Sequence, residues 1–101
     1  MARVLAQAVH YPRPEFRADL IDTMRGLHAA TAGLDGLESI GAFEDVEGGR
    51  IIAISLWSSP EAMGAGMAAV GSAVADVPFD VWELQPSELS MMPETAITTE
   101  V

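Results

Sequence analysis

The sequence predicts an α+β domain with the element order strand, helix, strand, strand, helix, strand. Two segments, 3–11 and 51–57, carry apolar residues on both alternating faces, which is typical of strands covered on both sides. Each is followed by apolar residues spaced three and four positions apart, which indicates an amphipathic helix. Because this order is that of a split βαβ arrangement, we expect a ferredoxin-like fold with a four-stranded antiparallel sheet and both helices on one face.

The first strand and first helix are predicted over residues 3–33. The run Arg13-Pro14-Glu15 favours a helix start, since proline fits the first helical turn and an acidic side chain is stabilised there. Gly33 stands where a residue in the left-handed conformation would end the helix. The inner stripe of this helix consists of Phe16, Leu20, Met24, Leu27 and Thr31.

A β-hairpin is predicted next. Residues 37–44 alternate as a second strand with one more polar face, and residues 51–57 form a third strand that ends at Trp57. The connection between them contains Gly48 and Gly49, whose conformational freedom suits a tight turn.

The second helix is predicted to begin directly after Trp57. Pro60 fits its first turn, and Ser58 with Glu61 matches a capping box. The tripeptide at 76–78, Asp-Val-Pro, ends this helix, and residues 79–84 are predicted as the fourth strand. We therefore expect a single domain over residues 1–88 and a C-terminal tail over residues 89–101, with an apolar cluster at Leu89, Met91 and Met92.

Charge and composition argue against several classes of function. The 101 residues include 15 acidic and 5 basic side chains, and the net charge of −10 would repel phosphate backbones and anionic lipid surfaces. Nucleic acid and membrane partners are therefore not expected. The absence of cysteine excludes disulfides and thiolate ligands, and two histidines without a metal-binding spacing predict no metal site. Without a long apolar stretch for a signal peptide or a membrane span, we expect a cytoplasmic protein.

The predicted layers require a partner. Two helices cover only one face of a four-stranded sheet, yet the first and third strands are apolar on both sides. A second copy is the simplest source of the missing layer. We expect a homodimer whose sheets meet face to face and bury roughly 2,000 Å² or more.

Three segments carry a resemblance to a known family. The run Gly36-Leu37-Glu38-Ser39-Ile40, the strand that ends at Trp57, and the run Ser59-Pro60-Glu61-Ala62-Met63 together resemble the antibiotic biosynthesis monooxygenase family of dimeric α+β barrels. The resemblance extends over residues 3–86. It implies a barrel-forming dimer, and its superfamily includes cofactor-free oxygenases of polyketide anthrones and quinols as well as haem-degrading oxygenases.

The chain departs from this family at two positions. Many relatives place a His or Trp nine positions after the junction tryptophan, and the haem-degrading ones place an axial His ten positions further on. Those positions here hold Gly66 and Asp76, which disfavours haem degradation, and no cofactor is expected. Small residues fill the second helix instead, and they allow either close backbone packing or room for a ligand.

The candidate catalytic residue is His28, one helical turn after Met24, where the imidazole could take a proton from a phenol or an activated methylene group. The alternative interpretation is a surface histidine. His10 beside Tyr11, at the end of the first strand, is interpreted as a pair at the rim. The candidate substrate-binding residues are Gln7, Met24, Trp57, Met67 and Trp82. The tryptophans and methionines are equally suited to a core or an interface.

Three functions remain open on the sequence. The leading hypothesis is a small-molecule enzyme resembling cofactor-independent monooxygenases, which acts on a planar hydrophobic phenol, anthrone or quinol. The first alternative is a non-catalytic dimeric module for small-molecule binding or assembly. The second is a haem-binding or haem-degrading protein with His10 or His28 as the axial ligand.

Overall fold

The computed structural model describes residues 3–96 and confirms the predicted α+β, ferredoxin-like fold. Its elements are β1 (Val4–His10), a 3₁₀ turn (Pro14–Phe16), α1 (Arg17–Thr31), β2 (Leu37–Asp45), β3 (Arg50–Trp57), α2 (Pro60–Ala73), α3 (Phe79–Trp82) and β4 (Glu88–Pro93). Neighbouring strands all pair antiparallel in the order β2-β3-β1-β4. The two most apolar strands, β1 and β3, therefore lie in the centre of the sheet.

The register places every second residue of the central strands beneath α1 and α2, on what we call the helix face. Val4 pairs with Trp57 and Ala6 pairs with Ser55, and all four residues are buried. The largest fully buried side chains of the described residues are Trp57, Leu20 and Ile51. The core is thus the layer between the helix face and the two helices.

The start of α2 differs from the prediction by one residue. Ser59 is the N-cap, and its Oγ accepts a hydrogen bond from the N–H of Ala62 at 3.1 Å. The predicted capping box of Ser58 and Glu61 is wrong, because the third helical position is occupied by Ala62. Pro60 lies in the first turn, as predicted.

The prediction of a fourth strand at residues 79–84 is also wrong. Residues 79–82 form α3, a single helical turn in which the N–H groups of Val81 and Trp82 donate to the carbonyl of Pro78. Its aromatic side chains pack against the end of β1 and against the 3₁₀ turn. The apolar alternation in the sequence therefore reflects aromatic packing of a helical turn, which a strand pattern imitates over so few residues.

The fourth strand is β4, which crosses the predicted boundary at residue 88. Leu89 pairs with Ala8 and Met91 with Ala6, so residues 89–93 belong to the sheet and do not form a tail. All six residues of β4 are exposed, because neither helix covers this edge of the sheet. Residues 97–101 of the predicted tail lie outside the described residues.

The opposite side of the sheet, which we call the open face, has no helix over it. Its middle is apolar, and two of its large side chains, Phe43 and Met92, are 62% and 40% exposed. By the strand register, Phe43 lies beside Ile52 and Val9, while Met92 lies beside Leu5. The middle of the open face comprises Leu5, Gln7, Val9, Ser39, Gly41, Phe43, Ile52, Ile54, Leu56, Ser90 and Met92.

Charged residues border this apolar area at both ends. At one end Arg3 is paired with Glu38 and Glu94. At the other end Arg50 donates to Asp45 at 2.8 Å, and the Tyr11 hydroxyl donates to Glu88. The open face therefore has an apolar centre between two charged rims, which is the anatomy of a protein interface.

Two pKa values at this second rim are shifted by local hydrogen bonds. The N–H of Gly48 and the guanidinium of Arg50 both bond the Asp45 carboxylate, and they lower its pKa. The hydrogen bond to Glu88 raises the pKa of the Tyr11 phenol, since a neighbouring carboxylate disfavours the phenolate.

Candidate functional site

An apolar cavity of about 290 Å³ lies between the two helices and the helix face of the sheet. The sheet contributes Ala6, Ala8 and Ala53, which are too small to fill the space beneath the helices. The walls on the helix side are Leu20, Met24 and Leu27 of α1, Met67 and Val70 of α2, and Val74, the C-cap of α2. Small residues in the central strands opposite long side chains on the helices thus leave a cavity suited to a hydrophobic molecule.

The glycines of α2 have different roles in shaping this cavity. A Cβ on Gly66 would lie 2.1 Å from Cη2 of Trp57, so this glycine lets the helix pack directly on the indole. A Cβ on Gly71, which lines the cavity, would have no atom within 4 Å. Both readings left open by the sequence are therefore realised in one helix, with close packing at Gly66 and open space at Gly71.

A histidine and a carboxylate meet at one end of the cavity. His10 lines it, and the His10 Nδ1 lies 2.9 Å from Oε2 of Glu83. The other carboxylate oxygen of Glu83 accepts the backbone N–H of Tyr11 at 2.9 Å. An ionised carboxylate only accepts hydrogen bonds, so with Glu83 in that form Nδ1 is the donor, and in a neutral ring Nε2 is then the unprotonated nitrogen. Within residues 3–96, Nε2 has no hydrogen-bond partner.

The backbone fixes Glu83 in this position. The end of β1 and the segment after α3 form a short antiparallel bridge between Pro12 and Glu83. Arg13 donates to the carbonyl of Trp82, and Leu84 donates to the carbonyl of Tyr11, both at 2.8 Å. Glu83 is consequently only 4% exposed, although it is charged and lies between short surface elements.

Phe79 holds the imidazole from a second side. The rings of His10 and Phe79 stack with centroids 5.9 Å apart and an interplanar angle of 30°. Phe79 also lines the cavity. The ring of His10 is therefore held by a hydrogen bond at Nδ1 and by an aromatic contact, and its side chain is 12% exposed.

The predicted site residues are only partly brought together. Met24 and Met67 line the cavity from opposite helices, as expected for substrate walls. Trp57 is fully buried beneath Gly66, with its Nε1 donating to Ser55 Oγ at 2.8 Å, so it belongs to the core. Trp82 stacks on Phe16 and is not among the lining residues.

Gln7 and His28 lie outside the cavity. Gln7 pairs with Ile54 and with Ser90, which places its side chain on the open face. His28 is exposed and lines an adjacent groove between α1 and the edge strand β2, which shares Met24, Leu27, Ile40 and Ala53 with the cavity. The predicted catalytic histidine and the predicted orienting amide are therefore not close to each other.

Sequence reasoning assigned His10 to the rim, or to an axial ligand in the haem-binding alternative, and did not consider Glu83. The two residues are 73 positions apart, and Glu83 fell in the segment predicted as a strand. A signal for Glu83 existed, since it is an acidic residue directly after two large apolar side chains, Val81 and Trp82. The hydrogen bond between Glu83 and His10 could not be predicted without knowing where α3 lies.

The described residues present no metal site and no membrane-spanning helix. Across residues 3–96, no group of three or more His, Asp or Glu side chains is arranged to hold a metal ion. The helices found in that range are all too short or too polar to cross a membrane. At the two positions where the chain departs from the family it resembles, Gly66 is packed on Trp57 and Asp76 is exposed, and neither residue carries an imidazole.

Comparison with solved structures shows a shared fold at low sequence identity. Rv0793 from Mycobacterium tuberculosis superposes with a TM-score of 0.82 at 19% identity, covering 96% of this chain and 99% of that one. A Deinococcus radiodurans protein described as a "putative antibiotic biosynthesis monooxygenase" gives 0.79 at 18% identity, with 97% of each chain covered. A Bacteroides thetaiotaomicron protein described as a "possible oxidoreductase" gives 0.76 at 12% identity, covering 92% and 98%.

Sequence comparison alone does not give this relation. No protein-family model matches the chain, and no curated protein matches its sequence. The likeness extends over nearly the whole length of both chains in each structural comparison. The chain therefore has the α+β fold of proteins described as antibiotic biosynthesis monooxygenases, the family that its sequence resembles.

Proposed function

We propose that this protein binds a planar hydrophobic phenol, anthrone or quinol in the cavity and oxygenates it with molecular oxygen, without a cofactor. The observation that carries the proposal is the apolar cavity of about 290 Å³ between the helices and the sheet. Its walls are alanines, aliphatic side chains and the thioethers of Met24 and Met67, which adapt to a flat apolar ligand. The fold shared with proteins described as monooxygenases supports the choice of reaction.

The chemistry balances with oxygen as the only co-substrate. For anthrone, a base removes a proton from the methylene group, and the electron pair of that C–H bond stays on the substrate as an enolate. Oxygen accepts these electrons, a C–O bond forms, and the peroxide anion takes up the proton. Loss of water then breaks the O–O bond and the second C–H bond, which gives anthraquinone. One oxygen atom enters the product and the other leaves as water.

The cavity assists this reaction by excluding water. Apolar walls do not stabilise the negative charge of an enolate. Enolate formation in this cavity therefore requires a nearby group that compensates that charge. The walls also hold the flat substrate in one orientation toward the polar end of the cavity. The protein therefore supplies desolvation and positioning, while the substrate itself supplies the electrons.

The test uses two glycine variants of α2. Gly71→Leu would place a side chain in the cavity, whereas Gly64→Leu adds the same side chain where a Cβ has no neighbour within 4 Å and no cavity lies. We expect wild type and Gly64→Leu to bind anthrone under anaerobic conditions and to form anthraquinone in air. Gly71→Leu should lose both activities. Equal binding by both variants would place the ligand elsewhere.

A non-catalytic binding module is the second candidate function. It is favoured by Gly66, which packs on Trp57 where many relatives carry a His or Trp. This candidate predicts saturable, Gly71-dependent binding of anthrone with no anthraquinone formed in air above the rate without protein. The same pair of glycine variants therefore separates the two functions.

We also propose that the open face is the interface of a homodimer. Its apolar centre has charged rims at both ends, and Phe43 is 62% exposed in the single chain. A second copy would cover this centre with an identical surface and bury roughly 2,000 Å², as in a stable dimer. The charged rims would remain in contact with water.

Sedimentation at micromolar concentration tests the dimer. Wild type, with a chain mass of 10.7 kDa, should sediment as a dimer. Phe43→Glu should sediment as a monomer, because it places a charge in the apolar centre. Val46→Glu is the matched control, since Val46 is 81% exposed in the hairpin turn and lies off the open face. A monomeric wild type would contradict the proposal.

A further inference from the structure

We infer that His10 and Glu83 form a catalytic pair in which His10 Nε2 is the base that removes the substrate proton. The inference rests on the proposed function and assigns its base, which sequence reasoning had given to His28. The proton moves from the substrate C–H or O–H to Nε2, and the bonding electron pair remains on the substrate. The imidazolium later returns this proton to the peroxide anion, so the pair ends the cycle unchanged.

The two histidines lie at different places relative to the cavity. His10 lines the apolar cavity, whereas His28 is exposed on the outer groove of α1. A base acts only within hydrogen-bond reach of the proton that it removes. A flat molecule between Met24 and Met67 lies in the cavity that His10 lines, whereas His28 is not among the residues that line it.

The imidazole ring of His10 has one nitrogen, Nε2, that is not bonded to Glu83. Because the hydrogen bond to Glu83 is made through Nδ1, the neutral imidazole presents its unprotonated Nε2 as the remaining acceptor. The stacking contact with Phe79 limits rotation of the ring. A base with a fixed tautomer and a fixed ring orientation is the arrangement that a carboxylate-oriented histidine provides in proton transfer.

The carboxylate of Glu83 is buried beside His10. Glu83 has a side-chain exposure of 2%, and its partners within residues 3–96 are His10 Nδ1 and the N–H of Tyr11, with no Lys or Arg. A buried carboxylate without a cation is unfavourable unless a positive charge appears beside it. Transfer of the substrate proton to His10 creates that charge at 2.9 Å. Glu83 is therefore a positioning residue that also stabilises the imidazolium.

The arrangement selects substrates with a mobile proton. A purely aliphatic ligand fits the walls but offers nothing for His10 to remove. A molecule whose proton is activated by an adjacent carbonyl or aromatic ring, such as an anthrone or a phenol, meets both requirements. The substrate class is thus a flat apolar carbon acid or phenol with the acidic position at one end.

Hydrogen exchange of anthrone tests the pair without oxygen chemistry. Under anaerobic conditions in deuterated buffer, the wild type should accelerate exchange of the methylene protons, followed by NMR. His10→Gln should lower the protein-dependent rate by roughly 10²- to 10⁴-fold while leaving the dissociation constant of anthrone within about twofold. A base other than His10 would leave the rate of His10→Gln at the wild-type level, and that result overturns the inference.

Other outcomes show whether the proposed function or only the assignment of the base is wrong. If wild type does not bind anthrone, the proposed function fails, and the assignment of the base fails with it. If anthrone binds but exchange falls with His28→Gln and not with His10→Gln, the function stands and His28 is the base. Circular dichroism of each variant verifies that the fold is kept.

The role of Glu83 has its own readout. Long-range ¹H–¹⁵N correlation spectra of wild type should show neutral His10 protonated at Nδ1. Glu83→Ala should lose this tautomer preference and the exchange activity together, whereas Glu83→Gln keeps an acceptor for Nδ1–H and should retain the tautomer but not the full rate. Glu15→Gln, an exposed acid in the 3₁₀ turn, is the matched control. An unchanged tautomer and rate in Glu83→Ala would remove Glu83 from the pair.

Discussion

The contact between Gly66 and Trp57 gives a prediction that can be worked out from the structure. In Gly66→Ala, the new Cβ would lie 2.1 and 2.2 Å from Cη2 and Cζ3 of the indole, well inside van der Waals contact. The indole cannot simply move away, because it is fully buried and its Nε1 donates to Ser55 at 2.8 Å. Relief therefore requires α2 to shift away from the sheet.

The expected magnitude combines two opposing effects. Overpacking in a core destabilises by about 1–3 kcal/mol, while replacing a mid-helix glycine by alanine stabilises by about 1 kcal/mol. Since the overlap is with a fixed aromatic ring, we expect the upper part of the range to apply and a net destabilisation of about 1–2 kcal/mol. For a domain of this size, this lowers the Tm by roughly 4–16 °C.

The assay is urea unfolding of Gly66→Ala beside Gly64→Ala. Gly64 lies in the same helix, and a Cβ there has no neighbour within 4 Å, so its alanine variant should gain up to about 1 kcal/mol from helix propensity. The two substitutions are chemically identical and differ only in what the methyl group meets. If Gly66→Ala is as stable as Gly64→Ala, the packing of α2 on Trp57 is not as described.

Three further predictions concern hydrogen bonds. Ser59→Ala removes the cap bond to Ala62 and should lower the free energy of unfolding by about 1 kcal/mol, measured by urea titration. Ser55→Ala leaves the buried Nε1–H of Trp57 unpaired, so thermal unfolding should show a loss of about 1–3 kcal/mol, and no loss would refute that bond. Because the folded-state pKa of Asp45 is lowered, its ionised form stabilises the fold above the ordinary carboxyl pKa, and this advantage over Asp45→Asn should vanish as pH falls through the lowered value. A difference in stability between these two proteins that persists in strong acid would contradict the assignment.

Most of the fold could be predicted because local signals agree with the tertiary structure. The central strands are apolar on both faces, which follows from their position between a helix layer and the apolar open face. Pro60 lies in the first turn of α2, and Gly49 has a φ of 69° in the hairpin turn, as their residue types predict. Each of these features depends on a few neighbouring residues, so it can be read from the sequence.

The C-terminal quarter could not be predicted in the same way. β4 is an exposed edge strand, and its position is set by backbone pairing with β1, which leaves little hydrophobic pattern. Residues 79–82 have the alternation of a strand, but their aromatic side chains pack around the end of β1 as a helical turn. Long-range contacts decide both segments, and these contacts leave no local signal.

The residues of the candidate site could likewise be predicted only where local sequence patterns decide their positions. Met24 and Met67 were predicted as walls because helical periodicity places them on the inner stripes of α1 and α2, and both line the cavity. Gln7 was misplaced because alternation gives two faces without saying which one the helices cover. His10 and Glu83 meet only when α3 folds onto the end of β1, 73 positions away in the sequence.

The most direct test of the account is a methyl NMR titration with anthrone under anaerobic conditions, using protein labelled at the methionine methyl groups. The methyl signals of Met24 and Met67 should shift saturably, since both side chains line the cavity. The signal of Met92, on the open face, should stay in place at the same anthrone concentrations. Shifts confined to Met92, or no saturable shift at Met24 and Met67, would contradict the claim that the cavity between the helices and the sheet is the binding site.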